Sequence, residues 1–280
     1  MDAIKFPNSF KDKELQHQIA TKGFVKVPQM VKPDDIQALS DMFFETSPAE
    51  IPGMYSNVFS NPHEINVRID ALMRQIFLPL MDEYLVDCDY TGGVFLAKGT
   101  TDKSVSYLHQ DWNNVDETVS AAFNFWCPLV DVDEHNGALQ CIAGSHQFFQ
   151  TIRSIDHPSV FLEFSPAIEP YLTAVEAKKG DVIFYLHNVF HGSKPNKSGI
   201  VRPAVAVGTK PKNVPQIHYA KGEHGTMDMF EIDYQEFIFR TIYEFGQGKP
   251  LNLQNKIGEV DNNLPVVDEA SLIEKIKEIA

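Results

Sequence analysis

From Gly92 to about Ala220 the chain breaks into short β-prone runs separated by Gly, Pro, Asn and Asp. This punctuation leaves no room for long helices in the middle of the sequence. Short runs spaced by turn residues fold as an antiparallel sandwich or barrel. In the clearest run, Val182, Phe184 and Leu186 alternate with Ile183, Tyr185 and His187. Successive strand side chains point to opposite faces, so the first set can fill a core while the second faces a cavity. Asn136-Gly137 has the composition of a tight hairpin turn and needs no catalytic role.

The flanks read differently. Residues 1–22 are polar and helix-compatible, and Gly23-Phe24-Val25-Lys26-Val27 alternates like a short, half-buried strand. Pro33, Asp34 and Asp35 mark a helix start: proline is pre-shaped for the first turn, and the acids face the positive end of the dipole. Ile36, Leu39, Met42 and Phe43 then share one helical face. A second amphipathic helix is expected over 66–87, and these helices would brace one sheet. After Ala220 come a Gly-bearing loop, a helix over roughly 233–245, a linker around 246–265 and a charged helix near 269–280. The expected organisation is one domain over 1–280, with N-terminal helices to about 90, a β core over about 91–220 and a helical extension over about 221–280. The extension would cover the mouth of the sandwich or form a subunit contact, and the sequence leaves the oligomeric state open.

Net charge is 24 − 38 = −14, which disfavours a phosphate backbone as partner and therefore nucleic acid. Three cysteines without Cys-x-x-Cys spacing give no disulfide framework, which fits a reducing compartment. No run reaches the roughly 18 apolar residues of a membrane span, and the first residues lack the apolar core of a signal peptide. The expectation is a soluble, cytoplasmic protein with a small-molecule partner.

The chemistry-bearing residues are split along the chain. His109 and Asp111 stand in Tyr-Leu-His-Gln-Asp-Trp, and His191 and Arg202 follow far downstream. His109 and Asp111 are two apart, so on an extended strand both point to the same face. Two histidines and one carboxylate can hold one face of an iron(II) ion and leave positions open for a keto acid and oxygen. An arginine supplies a planar, permanently charged fork for a carboxylate. Ten histidines and 38 acidic residues make roughly one chance His-x-Asp/Glu pair expected, so context has to carry the assignment. Arg202 opens the apolar run Pro203-Ala204-Val205-Ala206-Val207, where an unpaired charge would be costly, and a bound carboxylate would supply its partner.

That context is a set of ordered blocks. Around His109 the chain reads His-Gln-Asp-Trp. Next come Trp126-Cys127-Pro128-Leu129-Val130-Asp131, Asn136-Gly137-Ala138-Leu139 and Ala143-Gly144-Ser145-His146, and then His191-Gly192-Ser193-Lys194-Pro195-Asn196 with Arg202 after it. In this order the blocks resemble the phytanoyl-CoA dioxygenase family of iron(II)- and 2-oxoglutarate-dependent oxygenases, from about Gly23 to about Val207. Ala143 departs from the usual proline, and the segment after Met227 has no family counterpart.

The resemblance implies a mainly β fold with flanking helices, built on a double-stranded β-helix of the jelly-roll or cupin-like kind. It implies Fe(II), 2-oxoglutarate and O2 as cofactor and cosubstrates, with His109, Asp111 and His191 as metal ligands. His187 competes with His191 for the third position; the Gly-Ser-x-Pro-Asn after His191 and its spacing to Arg202 favour His191. Arg202, Ser193 and Trp126 would hold the keto acid. Gln110, Trp112, Tyr107, Lys98 and His187 are candidates to line a substrate cavity, and His146 is read as structural. Asp111 fills the place that halogenating relatives leave to Gly or Ala, so hydroxylation is expected over halogenation, with desaturation, cyclisation and epimerisation sharing the ligand set. A non-catalytic jelly-roll that binds a ligand and a structural zinc protein are the competing classes. The acidic balance and the run Asp228-Met229-Phe230-Glu231-Ile232-Asp233 suggest a small polar, amino-bearing substrate over an acyl-CoA.

Overall fold

The computed structural model describes residues 8–148, 151–157, 164–262 and 268–279. Its strands are β1 (Phe24–Val27), β2 (Met54–Ser56), β3 (Cys88–Lys98), β4 (Ser106–His109), β5 (Phe123–Pro128), β6 (Leu139–Cys141), β7 (Thr173–Val175), β8 (Val182–Leu186), β9 (His191–Ser193), β10 (Arg202–Pro211), β11 (Ile217–Lys221), β12 (Thr226–Glu231) and β13 (Lys256–Asp261). They form a six-stranded sheet in the order β1-β8-β5-β10-β3-β2, a four-stranded sheet β4-β9-β6-β7, and a small sheet β11-β12-β13. Every paired register is antiparallel. Strands adjacent in a sheet are often distant in sequence, as β1 is from β8, which is the crossover pattern expected of a jelly-roll.

Apolar alternation builds the core of the larger sheet. Phe123, Phe125 and Phe184 are fully buried on neighbouring strands. Ring centroids of Phe125 and Phe184 lie 4.3 Å apart, and Phe10 from the N-terminal segment meets Phe184 edge-on at 5.0 Å. Burying each such ring stabilises by roughly 2–3 kcal/mol relative to exposure. Tyr185 and His187, the opposite parity of β8 and its continuation, face cavities as the alternation predicts.

The first helices behave as their sequences direct. Pro33–Thr46 begins with its proline in the first turn, carries Asp34 and Asp35 there, and buries Ile36, Leu39 and Phe43. The second amphipathic helix spans His63–Tyr84, starting a little earlier than expected, and it lies along β3. Lys13–Lys22 is helical, capped by the Asp12 side chain, while the expectation for residues 1–7 falls outside the described residues.

The C-terminal segment departs most from expectation. The stretch read as a linker contains β13, and the loop after Ala220 is the turn of a hairpin between β11 and β12. Lys256–Asp261 is mostly exposed and charged, so it lacks the apolar alternation that marks a strand in sequence. The helix expected over 233–245 is present as Tyr234–Glu236, a wider π turn at Phe237–Thr241, and Ile242–Gly246. The terminal helix spans Glu269–Ile279. No described helix is long and apolar enough to cross a membrane.

One buried carboxylate ties the second helix, the sheet and the C-terminal segment together. Asp70, 3% exposed, accepts hydrogen bonds from the Tyr90 hydroxyl at 2.6 Å and the Gly93 amide at 2.8 Å through one oxygen. Its other oxygen accepts from Gln235 Nε2 at 2.7 Å. Removing it strands three donors, and bonds to a charged group contribute more than neutral ones. Asp70→Ala is expected to lower unfolding free energy by about 3 kcal/mol or more, measured by denaturant melts; a loss within about 0.5 kcal/mol, typical of a surface substitution, would contradict the anchoring role.

Candidate metal centre and its two chambers

β4 and β9 pair so that His109 stands opposite His191. Their ring centroids are 4.3 Å apart. Asp111 follows the end of β4, and its amide donates to the His187 carbonyl at 2.8 Å, which carries the carboxylate back toward both rings. Asp111 Oδ1 lies 3.6 Å from His109 Nε2 and 3.6 Å from His191 Nε2. One ligand atom from each of the three residues falls within 4.8 Å of the others, a spacing that suits a shared ion.

Hydrogen bonds set the ring nitrogens. His109 Nδ1 lies 2.8 Å from the Tyr107 carbonyl and His191 Nδ1 lies 2.9 Å from the Val189 carbonyl. A carbonyl only accepts, so the proton of each neutral ring sits on Nδ1 and the Nε2 lone pair points into the cluster. Asn124 Nδ2 donates to Asp111 Oδ2 at 2.8 Å and so turns the other oxygen toward the histidines.

Charge within the cluster is consistent with cation binding. Burial raises the Asp111 carboxyl, but the charges and hydrogen bonds of His191, His109 and His187 outweigh it and hold the group well below the usual carboxylate range. Burial and then the neighbouring His109 pull His191 down to about 4, so it is neutral at physiological pH with a free lone pair. Burial also lowers His109, but its hydrogen bond and attraction to Asp111 reverse that and raise it above its ordinary value.

A cavity of about 210 Å³ runs between the two large sheets from His109, Asp111 and His191 to Arg202, and Ser193 and Trp126 also line it. Arg202 opens β10 and is 5% exposed, and its Nε and Nη1 have no hydrogen-bond partner. Its guanidinium lies 5.2 Å from the centre of the Trp126 ring. Burial lowers its pKa to about 9, which still leaves it charged at neutral pH. A buried cation with open donors matches a carboxylate-bearing guest.

A second cavity, of about 310 Å³, opens on the other side of His109 and Asp111 and is lined by Gln110, Trp112, Asn114, His187, Tyr234 and Ile238 among others. His187 is therefore not part of the three-residue cluster. It is 2% exposed, and neither ring nitrogen has a side-chain hydrogen-bond partner. Gln110 is held by the main chain, donating to the Asn188 carbonyl at 2.7 Å.

Lys98 and Tyr107 lie elsewhere. Lys98 faces Arg202 across the β3–β10 register but is fully buried and lines neither chamber, because its ammonium donates to the carbonyls of Ser104, Ser193 and Lys194. Burial, with the nearby Arg202 charge, lowers its pKa to about 7. Tyr107 is 67% exposed and points to the surface, since a register irregularity between Ser106 and His109 breaks the parity that would place it beside His109. His146 has the structural role expected of it, with Nε2 lying 3.1 Å from the Ala20 carbonyl.

Sequence reasoning missed Asn124, and it missed the support behind Asp111. Arg153 is fully buried, forms a two-pronged pair with Glu117 at 2.6 and 3.0 Å, and donates through Nε to the Asp111 carbonyl at 2.7 Å. Neither Asn124 nor Arg153 lies in a motif, and only the fold brings them to Asp111.

The family model for phytanoyl-CoA dioxygenase matches residues 19–204. The chain belongs to the phytanoyl-CoA dioxygenase family. Among curated relatives, the dioxygenase olcK of Penicillium canescens is 32% identical over 88 residues, which is 31% of this chain and 25% of that protein. The match thus spans about a quarter of that relative's length. Among solved structures, HygX of Streptomyces hygroscopicus with nickel, 2-oxoglutarate and hygromycin B bound superposes with a TM-score of 0.53 at 18% identity, over 72% of this chain and 88% of HygX. The epimerase SnoN in complex with Fe3+, alpha ketoglutarate and nogalamycin RO gives a TM-score of 0.56 at 16% identity, over 73% of this chain and 85% of SnoN. These likenesses support the double-stranded β-helix fold. The family match ends at Ala204, so Tyr234 and Ile238 enter the second chamber from outside it.

Removing the partner that orients a metal-binding carboxylate commonly weakens metal affinity about 10–100-fold. Asn124→Ala is expected to weaken Mn(II) binding, measured by calorimetry, within that range. Unchanged affinity would show that Asn124 does not orient Asp111 for an ion.

Proposed function

We propose that His109, Asp111 and His191 hold one Fe(II), that 2-oxoglutarate occupies the chamber ending at Arg202, and that the protein is a dioxygenase acting on a small molecule in the second chamber. The observation that carries this reading is the buried, unpartnered guanidinium at the far end of a cavity that starts at the three-residue cluster. The donor set fits the group: two imidazole nitrogens and one carboxylate on a single side would hold Fe(II) and leave room for a cosubstrate beside it.

When bound, Fe(II) and 2-oxoglutarate supply the oxidising chemistry, in which 2-oxoglutarate, O2 and a C–H substrate give succinate, CO2 and the hydroxylated product. The chain supplies geometry. Asn124 fixes the Asp111 carboxylate, and the Tyr107 and Val189 carbonyls fix the two rings. Arg202 pairs with the far carboxylate of the keto acid while Trp126 and Ser193 shape its pocket. His187, neutral because burial lowers its pKa, offers a hydrogen bond to the substrate without adding charge beside the ion.

A closed structural zinc site would want a fourth protein ligand, and among the described residues the cluster has three. A non-catalytic binding module would have no use for an open ion site joined to a buried arginine. The presence of Asp111 argues against halogenation. The acidic run Asp228–Asp233, which suggested an amino-bearing substrate, lies on β12 and just beyond it: Asp228 pairs with Lys256, Glu231 and Asp233 are exposed or nearly so, and none of these acids lines the second chamber. That observation therefore gives no support to an amino-bearing substrate.

Arg202→Leu is expected to raise the KM for 2-oxoglutarate at least about a hundredfold, because breaking a buried charge pair costs roughly 3–5 kcal/mol. Arg202→Lys should recover only part, since an ammonium does not reproduce the fork. Succinate formation against 2-oxoglutarate concentration measures both, and an unchanged KM in the leucine variant would remove Arg202 from the keto-acid site.

A further inference from the structure

The second chamber has a distinct chemistry. Its walls carry the aromatic side chains of Phe59, Trp112 and Tyr234 and the aliphatic side chains of Val94, Leu96 and Ile238. No lysine or arginine lines it among the described residues. Outside those residues, the sequence holds a single basic side chain, Lys5. Among the described residues its only acid is Asp111, which belongs to the ion cluster. An anionic guest would be buried there without a partner, and so would a cationic one once an ion neutralises Asp111, which is costly for either sign of charge. An apolar cavity with a few converging polar groups suits a neutral organic molecule, and about 310 Å³ lies at the small end of ligand sites.

Apart from Asp111 its polar side chains are uncharged, among them Ser56, Gln110, Asn114, His187 and Tyr234. His187 lines the chamber, and its two buried ring nitrogens have no side-chain hydrogen-bond partner. A neutral imidazole has one donor and one acceptor, so it can serve a hydroxyl or a carbonyl. Tyr234 lies within reach of the Asn114 side chain and near enough to Asp111 for that charge, after burial, to help raise its pKa.

Tyr234 is held in place by the fold. Its neighbour Gln235 donates to buried Asp70. Its ring lies directly on Gly92, where an added Cβ would come within 2.9 Å of ring carbons. Ile238 follows four residues later and reaches the same cavity.

We infer that this chamber takes an uncharged, ring-bearing molecule with a hydroxyl or carbonyl group, and that Tyr234 and Ile238, from the segment beyond the family match, select it. This inference names the substrate class for the dioxygenase reading and rests on it for the meaning of the site. Its test, however, uses binding alone and needs neither iron nor turnover.

Three probes share one ring system and differ in charge: 2-naphthol, 2-naphthoate and 2-naphthylmethylammonium. At neutral pH, 2-naphthol and 2-naphthoate are compared on the full chain without added metal, and 2-naphthol and 2-naphthylmethylammonium on the full chain with Zn(II) bound so that Asp111 is neutralised, by calorimetry and ligand-observed NMR. 2-Naphthol is expected to bind at least about tenfold more tightly than either ion, since even a partly compensated buried charge costs more than the 1.4 kcal/mol that tenfold represents. Tyr234→Ala and Ile238→Ala should each weaken 2-naphthol at least about fivefold, with thermal melts confirming that the variants are folded. A Tyr234→Ala variant that does not fold leaves Ile238→Ala and the wild-type charge comparison to decide. Comparable or tighter binding of either ion would overturn the inference, as would unchanged 2-naphthol affinity in a folded variant. Failure of the dioxygenase reading would appear instead in the keto-acid measurements on Arg202.

Discussion

The pairing of β4 with β9 is the constraint on which the site depends. It places His109 opposite His191 although the two are far apart in sequence, and it leaves both Nδ1 atoms against carbonyls of their own segments. With those bonds made, the two Nε2 atoms can only converge. A one-residue slip of register would turn one ring to the opposite face and abolish the cluster. The structure resists such a slip because the strand end is held from behind: Arg153 bonds the Asp111 carbonyl and, through Glu117, is locked in place, while the Asp111 amide is bonded to His187.

From that pairing the two chambers divide the work by charge. The chamber proposed for the keto acid ends in a buried arginine with unpartnered donors, and the other has apolar and mostly uncharged polar walls. Both open on His109 and Asp111, so guests in the two chambers would meet at the same ion. The family-matched segment supplies the cluster and most of the keto-acid chamber, whereas Tyr234 and Ile238 come from outside it. Asp70 links the parts, since one carboxylate holds β3 and the segment bearing Tyr234.

Much of this was legible in the sequence, for reasons that differ by residue. The β core was readable because turn residues punctuate it and because Val182–Leu186 alternates. His109, Asp111, His191 and Arg202 were readable because their blocks keep a fixed order, and the structure brings all four to one cavity. Lys98 and Tyr107, named as cavity candidates, line neither chamber: the fold uses the Lys98 ammonium on three carbonyls, and a register irregularity turns Tyr107 outward. Asn124 and Arg153 gave no signal, since their roles arise from tertiary convergence alone. β13 was hidden because a charged, exposed strand has no apolar period to read.

The most direct test of the central claim is whether iron and 2-oxoglutarate bind as one unit at this cluster. Titrating 2-oxoglutarate into the anaerobic protein, with and without Fe(II), and following visible charge-transfer absorption measures this. A saturable band that needs both components, reaches one equivalent and is lost in Asp111→Ala is the expected result. A band of undiminished intensity in that variant, or tight binding of both components to the unaltered protein with no such band, would contradict it.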